Sequence, residues 1–128
     1  VRLLLDTHAL LWWWVNDERL SKSARTAIGR MSNEIFVSVV SAWEIATKVR
    51  LGKLPSQPDI VQRFASLVTA DGFTPLPVSL RHALHAGSYP QQHGDPFDRM
   101  LAAQSELEGL TLVTLDPAMG RFPCQTHW

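Results

Sequence analysis

Two aspartates close short apolar runs at opposite ends of the chain. Asp6 follows Val1–Leu5, and Asp116 follows Thr111–Leu115 (TLVTL). If both runs are strands of one parallel sheet, their carboxyl ends share an edge, and that is the edge at which open α/β sheets take ligands. Acids 110 residues apart in sequence then become neighbours. Glu44, in Ser41-Ala42-Trp43-Glu44, stands just after a β-branched stretch and is aimed at the same edge. So is Asp98, in Asp95-Pro96-Phe97-Asp98, in the first turn of a helix. Each acid also has a local use. Asp6 and Asp116 can cap the turns that follow them, Glu44 can close a capping box with Ser41, and Asp95 followed by Pro96 is an N-cap with proline at the first helical position. Gathered in one pocket, however, such carboxylates repel, at roughly 3 kcal/mol for two charges about 5 Å apart at an effective dielectric near 20. An all-oxygen set of this kind calls for a hard divalent ion, Mg²⁺ or Mn²⁺. An ion of that type beside a phosphodiester activates water and neutralises developing charge, which points to hydrolysis of nucleic acid.

The surrounding sequence supplies elements able to bring these acids together. Val1–Leu5 reads as a buried strand and Thr7–Val15 as a helix; Leu20–Met31 is a second helix, opened by Ser21. Glu34–Val40 (EIFVSVV) is the clearest strand, followed by a helix over Ser41–Leu51 that stops at Gly52. Asp59–Ala70 is an amphipathic helix, and Phe73–Val78, broken by Pro75 and Pro77, is confined to a sheet edge or an extended connection. Ser79–Gly87 is a short helix and Ser88–Gly94 a polar loop. Pro96–Glu108 is a helix ended by Gly109, with small Ala102 and Ala103 allowing close approach to the sheet. The alternation predicts a single α/β domain over residues 1–128, with a mainly parallel central sheet flanked by helices.

Composition agrees. The chain has 128 residues, 45% hydrophobic and 19% charged, an ordinary balance for one ordered domain. Its longest apolar run, Ala9–Val15, is too short to cross a bilayer. The single cysteine, Cys124, forms no internal disulfide and no thiolate metal site, which fits a cytoplasmic setting. Net charge is zero, yet with five acids drawn into one pocket the remaining surface carries an excess of five positive charges. Nine of the twelve basic residues are arginine, which suits phosphate contact as well as ordinary solvation.

Four ordered segments, LLLDTHALLW at Leu3–Trp12, SAWEIATK at Ser41–Lys48, DPFDRMLAAQ at Asp95–Gln104 and TLVTLD at Thr111–Asp116, resemble the PIN-domain ribonucleases, and more closely the VapC-type toxins. The resemblance spans nearly the whole chain. It implies that Asp6, Glu44, Asp98 and Asp116 form the catalytic, metal-binding quartet, with Asp95 matching an extra acid of some members and Thr114 a supporting hydroxyl. It further implies metal-dependent endonucleolytic cleavage of RNA, a homodimer, and a cognate antitoxin that covers the site. His8 stands where many relatives carry Asn or Ser, which bears on a hydrogen bond to Asp6 or substrate. The tail after Asp116 is the least family-like part.

Other candidates have more ordinary readings. Trp12-Trp13-Trp14 point in three directions about 100° apart and cannot form one stacking platform, so core packing together with an interface is expected. His82 and His85, one helical turn apart, lack a third ligand. His93, just before the Asp95 motif, is placed to contact a substrate phosphate, but a loop histidine without special role is the preferred reading. Arg99 is expected to pair with a site acid, to hold the scissile phosphate, or to form a surface salt bridge. Lys48, Arg50 and Lys53 either guide RNA or form a solvated helix face. The expected reaction is in-line water attack leaving a 5′-phosphate and a 3′-hydroxyl. Metal-free cleavage through the 2′-hydroxyl would need a His or Lys acid–base pair that is not evident. The competing reading is a non-catalytic RNA- or antitoxin-binding module. A phosphoacceptor or phosphatase is disfavoured, because His8 stands where a second aspartate would be needed.

Overall fold

In a computed structural model describing residues 1–128, five parallel strands form one sheet. They are β1 (Arg2–Leu5), β2 (Glu34–Ser38), β3 (Thr74–Leu76), β4 (Thr111–Val113) and β5 (Thr126–His127), in the order β3-β2-β1-β4-β5. Six helices surround them: α1 (Thr7–Trp14), α2 (Lys22–Gly29), α3 (Val39–Arg50), α4 (Ile60–Ala70), α5 (Leu80–Ser88) and α6 (Pro96–Glu108). Side-chain alternation along the strands splits the core in two. Leu3, Leu5, Ile35 and Val37 face α1, α2 and α4, whereas Leu4, Phe36 and Leu112 face α5 and α6. The chain turns back on itself between β1 and β4, so the two strands that end in Asp6 and precede Asp116 lie side by side, Leu5 opposite Val113. Their carboxyl ends form the topological switch point of the sheet.

The α/β architecture is the one expected, and the sheet is parallel throughout. The edge assignment for the proline-broken segment also holds: β3 is short and pairs only with β2. Two differences matter. First, the β-branched run does not stay extended to Val40. Ser38 caps α3 by accepting from the Val40 amide, so the helix starts at Val39 and Glu44 stands in its second turn. The Ser41–Glu44 capping box is therefore not formed; a serine three residues earlier took the cap, and tertiary burial of Val40 outweighed its strand preference. Second, the tail supplies β5, which extends β4 through the Leu112 amide to Gln125 O and the Thr114 amide to His127 O. A two-residue strand held by its neighbour carries too little periodicity to be seen in sequence. α6 is bounded as its ends require, by Asp95, Pro96 and Gly109 at φ 65°. Leu101, Ala102 and Ala103 are fully buried against the sheet.

The tryptophan run packs within the fold. Trp12 meets Trp128, and Trp14 meets Phe64 edge-on at 5.2 Å. Trp13 and Trp14 both donate to Asp71 Oδ2, at 3.2 and 2.9 Å. His82 is buried and closes a capping box with Ser79, and His85 bonds Glu106 at 2.6 Å; neither contributes to a metal-binding cluster. No helix is long and apolar enough to cross a membrane.

Candidate active site

The carboxyl edge of β1 and β4 gathers the acids through their caps. Asp6 ends β1 with its amide bonded to Val113 O, and its Oδ1 accepts from the Ala9 amide at 2.7 Å, which starts α1. Asp116 Oδ1 accepts from the Ala118 amide at 2.9 Å, opening a 3-10 turn over Pro117–Arg121. Asp95 Oδ1 accepts from the amides of Phe97 and Asp98. Capping, read on sequence alone as an alternative to a site role, leaves room for one: a single oxygen of each carboxylate is spent on backbone amides and the other remains free.

Asp98 has a different anchor. Its Oδ2 bonds His93 Nε2 at 2.8 Å, and ligand atoms of His93, Asp98 and Asp116 all lie within 4.8 Å of one another. Burial lifts the Asp98 carboxyl above its ordinary range; His93 opposes this, and the charges of Asp95 and Glu44 reinforce it. Asp6 is also lifted, first by burial and to a smaller degree by Asp98 itself, while the Thr114 hydroxyl, the Ala9 amide and His8 pull it down. Asp6 and Glu44 thus influence Asp98 through charge, although neither belongs to the group whose ligand atoms lie within 4.8 Å of one another. Both shifts mark carboxylates whose charge the protein leaves incompletely compensated. Together with the oxygen-rich donor set, this fits a divalent cation.

Glu44 is buried and both of its oxygens are engaged. Thr7 Oγ1 donates to Oε1 at 2.6 Å and Lys48 Nζ donates to Oε2 at 2.6 Å. Thr7 Oγ1 also lies 3.0 Å from Ser41 Oγ. Lys48 is therefore neither a free RNA guide nor a purely solvated charge; it neutralises a site acid. Thr7 was missed as a site residue, although its place directly after Asp6 in the first turn of a helix was the available signal. Thr114 accepts from the Asp116 amide at 3.1 Å, and its hydroxyl favours the charged form of Asp6. His8 is exposed, stacks near Trp12 at 5.6 Å and acts on Asp6 through charge.

Arg99 departs from expectation. Its five donors go to backbone carbonyls of the last turn of α5 and the connection after it: Nε to Ala86, Nη1 to Gln91 and His93, and Nη2 to Tyr89 and, at 3.5 Å, to Gly87. None is left for a site acid or a phosphate. The carbonyls of a tight loop present several acceptors to a planar fork at once, which an isolated carboxylate does not. Arg99 supports the site through the loop that carries His93, and His93 is the residue that sequence reading most undervalued. Trp43 and Leu115, which precede Glu44 and Asp116, are 61% and 52% exposed and leave an apolar rim beside the acids.

Comparison with known proteins agrees with this arrangement. The family model "PIN domain" matches residues 3–123. Ribonuclease VapC22 of Mycobacterium tuberculosis is 32% identical over 117 residues, covering 89% of this chain and 86% of that protein. Ribonuclease VapC16 of the same organism is 36% identical over 61 residues, covering 48% of this chain and 43% of that protein. Among solved structures, VapBC2 from Rickettsia felis bound to a promoter DNA fragment superposes with a TM-score of 0.68 at 17% identity, over 99% of this chain and 98% of that one. VapBC-1 from nontypeable Haemophilus influenzae gives 0.65 at 17% identity, over 99% and 97%.

Proposed function

Since the chain belongs to the PIN-domain family, among its VapC-like ribonuclease toxins, we propose that it is a Mg²⁺- or Mn²⁺-dependent endoribonuclease that hydrolyses cellular RNA in the cytoplasm. The observation that supports this reading is the approach of Asp98 and Asp116, with His93, to within 4.8 Å of one another at the carboxyl edge of β1 and β4, where Asp6 and Glu44 stand outside that group but act on Asp98 through charge. In this reading Asp6, Asp98 and Asp116 hold the ion and Glu44 completes the set. When bound, a divalent ion supplies Lewis-acid stabilisation of the charge that builds on the phosphoryl oxygens. The side chains do the positioning. Backbone amides fix Asp6 and Asp116, Thr114 accepts from the Asp116 amide, and Asp95 orders the first turn from which Asp98 projects. Glu44, braced by Thr7 and Lys48, orients the attacking water, and in-line displacement leaves a 5′-phosphate and a 3′-hydroxyl. The positive excess outside the acid cluster draws the RNA backbone towards it.

The proposal includes a homodimer and a cognate antitoxin that covers the site. Solved VapBC relatives of the same fold support the partner, and the exposed Trp43 and Leu115 beside the acids offer apolar surface for it. Sequencing of new RNA 5′-ends after brief expression of wild type and Asp98→Asn tests the whole reading. Discrete 5′-phosphate ends are expected in wild type alone, with the variant folded by circular dichroism. Equal cleavage by the variant, or undiminished activity in EDTA, refutes metal-dependent catalysis. Growth arrest by Asp98→Asn without new ends would instead identify a binding module.

A further inference from the structure

We propose that His93 is itself a ligand of the divalent ion, so that the donor set is mixed, with imidazole Nε2 beside the Asp98 and Asp116 carboxylates; this rests on the metal-site reading above. Donors bonded at about 2.1 Å to a common cation sit roughly 3.0 to 4.2 Å apart, and the three ligand atoms here lie within 4.8 Å of one another, so a shift of at most about 0.6 Å brings them onto one ion. Nε2 faces Asp98 Oδ2 at 2.8 Å, so the ring is turned towards the acids. Ligation through Nε2 would use that nitrogen's lone pair and would call for the Nδ1–H tautomer.

The loop is built to hold the ring there. Ordering a loop costs backbone entropy. Even so, Arg99 commits all five donors to carbonyls of residues 86–93, including that of His93 at 3.0 Å. Phe122 packs edge-on against the imidazole at 5.8 Å. The side chain is 22% exposed. A nitrogen donor shifts preference away from Mg²⁺, which favours oxygen, towards Mn²⁺.

The test is pulsed electron paramagnetic resonance of the full chain loaded with Mn²⁺, combined with Mn²⁺ and Mg²⁺ titrations of wild type, His93→Gln and His8→Gln. Gln can still donate to Asp98, so it separates ligation from positioning. The expected result is coupling from a directly bonded ¹⁴N in wild type and His8→Gln that is absent in His93→Gln. Mn²⁺ affinity should fall at least about tenfold in His93→Gln, and Mg²⁺ affinity much less. Bound Mn²⁺ without such coupling, coupling that survives His93→Gln, or equal loss of both metals overturns the assignment while leaving the carboxylate site standing. Wild-type chain that binds no Mn²⁺ sinks both. The wild-type spectrum decides the matter even if His93→Gln fails to fold.

Discussion

Replacing Arg99 by Met should destabilise the protein by about 3–4 kcal/mol without removing any group from the acid cluster. Four of its five hydrogen bonds are short, to Ala86 at 3.0, Gln91 at 2.8, His93 at 3.0 and Tyr89 at 2.7 Å; the fifth, to Gly87 at 3.5 Å, counts for little. A hydrogen bond to a charged group is worth roughly 1.5–3 kcal/mol net when burial is complete. These carbonyls sit in a surface connection and regain water once released, so about 1 kcal/mol each is the appropriate figure. The cost is capped, because the loop can open locally while α6 and the sheet remain folded. For a domain of this size the change lowers Tm by roughly 11–15 °C. Urea unfolding gives the free energy, and hydrogen exchange locates it: the amides of residues 87–94 should lose protection well before those of β1 and β4. Arg99→Lys should recover no more than about a third, because a compact ammonium cannot serve the whole fan of acceptors. A loss under about 1 kcal/mol with unchanged exchange in the loop would refute the claim that this guanidinium orders the His93 segment.

Two further outcomes follow from the charges of the site. In EDTA, lowering the pH from 7 towards the ordinary carboxylate range should stabilise wild type relative to Asp6→Asn. The Asp6 carboxyl titrates higher in the folded chain than in the unfolded one, so its favourable contribution is complete below the ordinary carboxylate value and is lost as pH rises through the raised one. Asn keeps the cap but cannot titrate; paired urea melts showing the same pH slope in both proteins would contradict this. Lys48→Met should cost about 2 kcal/mol, roughly 7 °C in Tm, by leaving the buried Glu44 carboxylate without its cation. Millimolar Mg²⁺ should restore more of Tm in Lys48→Met than it adds to wild type, since the ion meets a carboxylate with no competing ammonium. Equal shifts in thermal melts would show that Glu44 lies outside the ion's reach.

Much of this arrangement was legible in the chain because the decisive signals are local. Apolar runs ending in Asp6 and Asp116, the Asp95-Pro96 cap and the Ala102-Ala103 pair each imply a strand end, a helix start or a close approach without knowledge of the rest. Parallel pairing then brings the strand ends together. The start of α3 was misplaced because Val39 and Val40 favour strands, and only the buried Ser38 cap and the packing of Val40 decide otherwise. β5 was invisible because two residues carry no period. Lys48 and Arg99 were misjudged for a related reason. A basic side chain advertises charge in sequence but not its acceptor: Glu44, one turn back, for Lys48, and a fan of loop carbonyls for Arg99.

The same limitation explains why cap and ligand looked like competing roles for the aspartates. A carboxylate has two oxygens, and a helix N-terminus needs only one of them. Once Asp6 and Asp116 each spend Oδ1 on an amide, their side-chain torsions are set by backbone geometry, and the orientation of the second oxygen costs no further entropy when a ligand arrives. The cap is therefore the means of preorganising the site. Asp98 shows the converse: as the third residue of its helix it has no amide to cap, Asp95 having taken both, and the chain instead provides His93 on a loop ordered by Arg99. Wherever a first-turn acid of this kind lacks a cap of its own, a side chain from elsewhere must aim it. That side chain is the place to look for a ligand which acid-spacing motifs do not reveal.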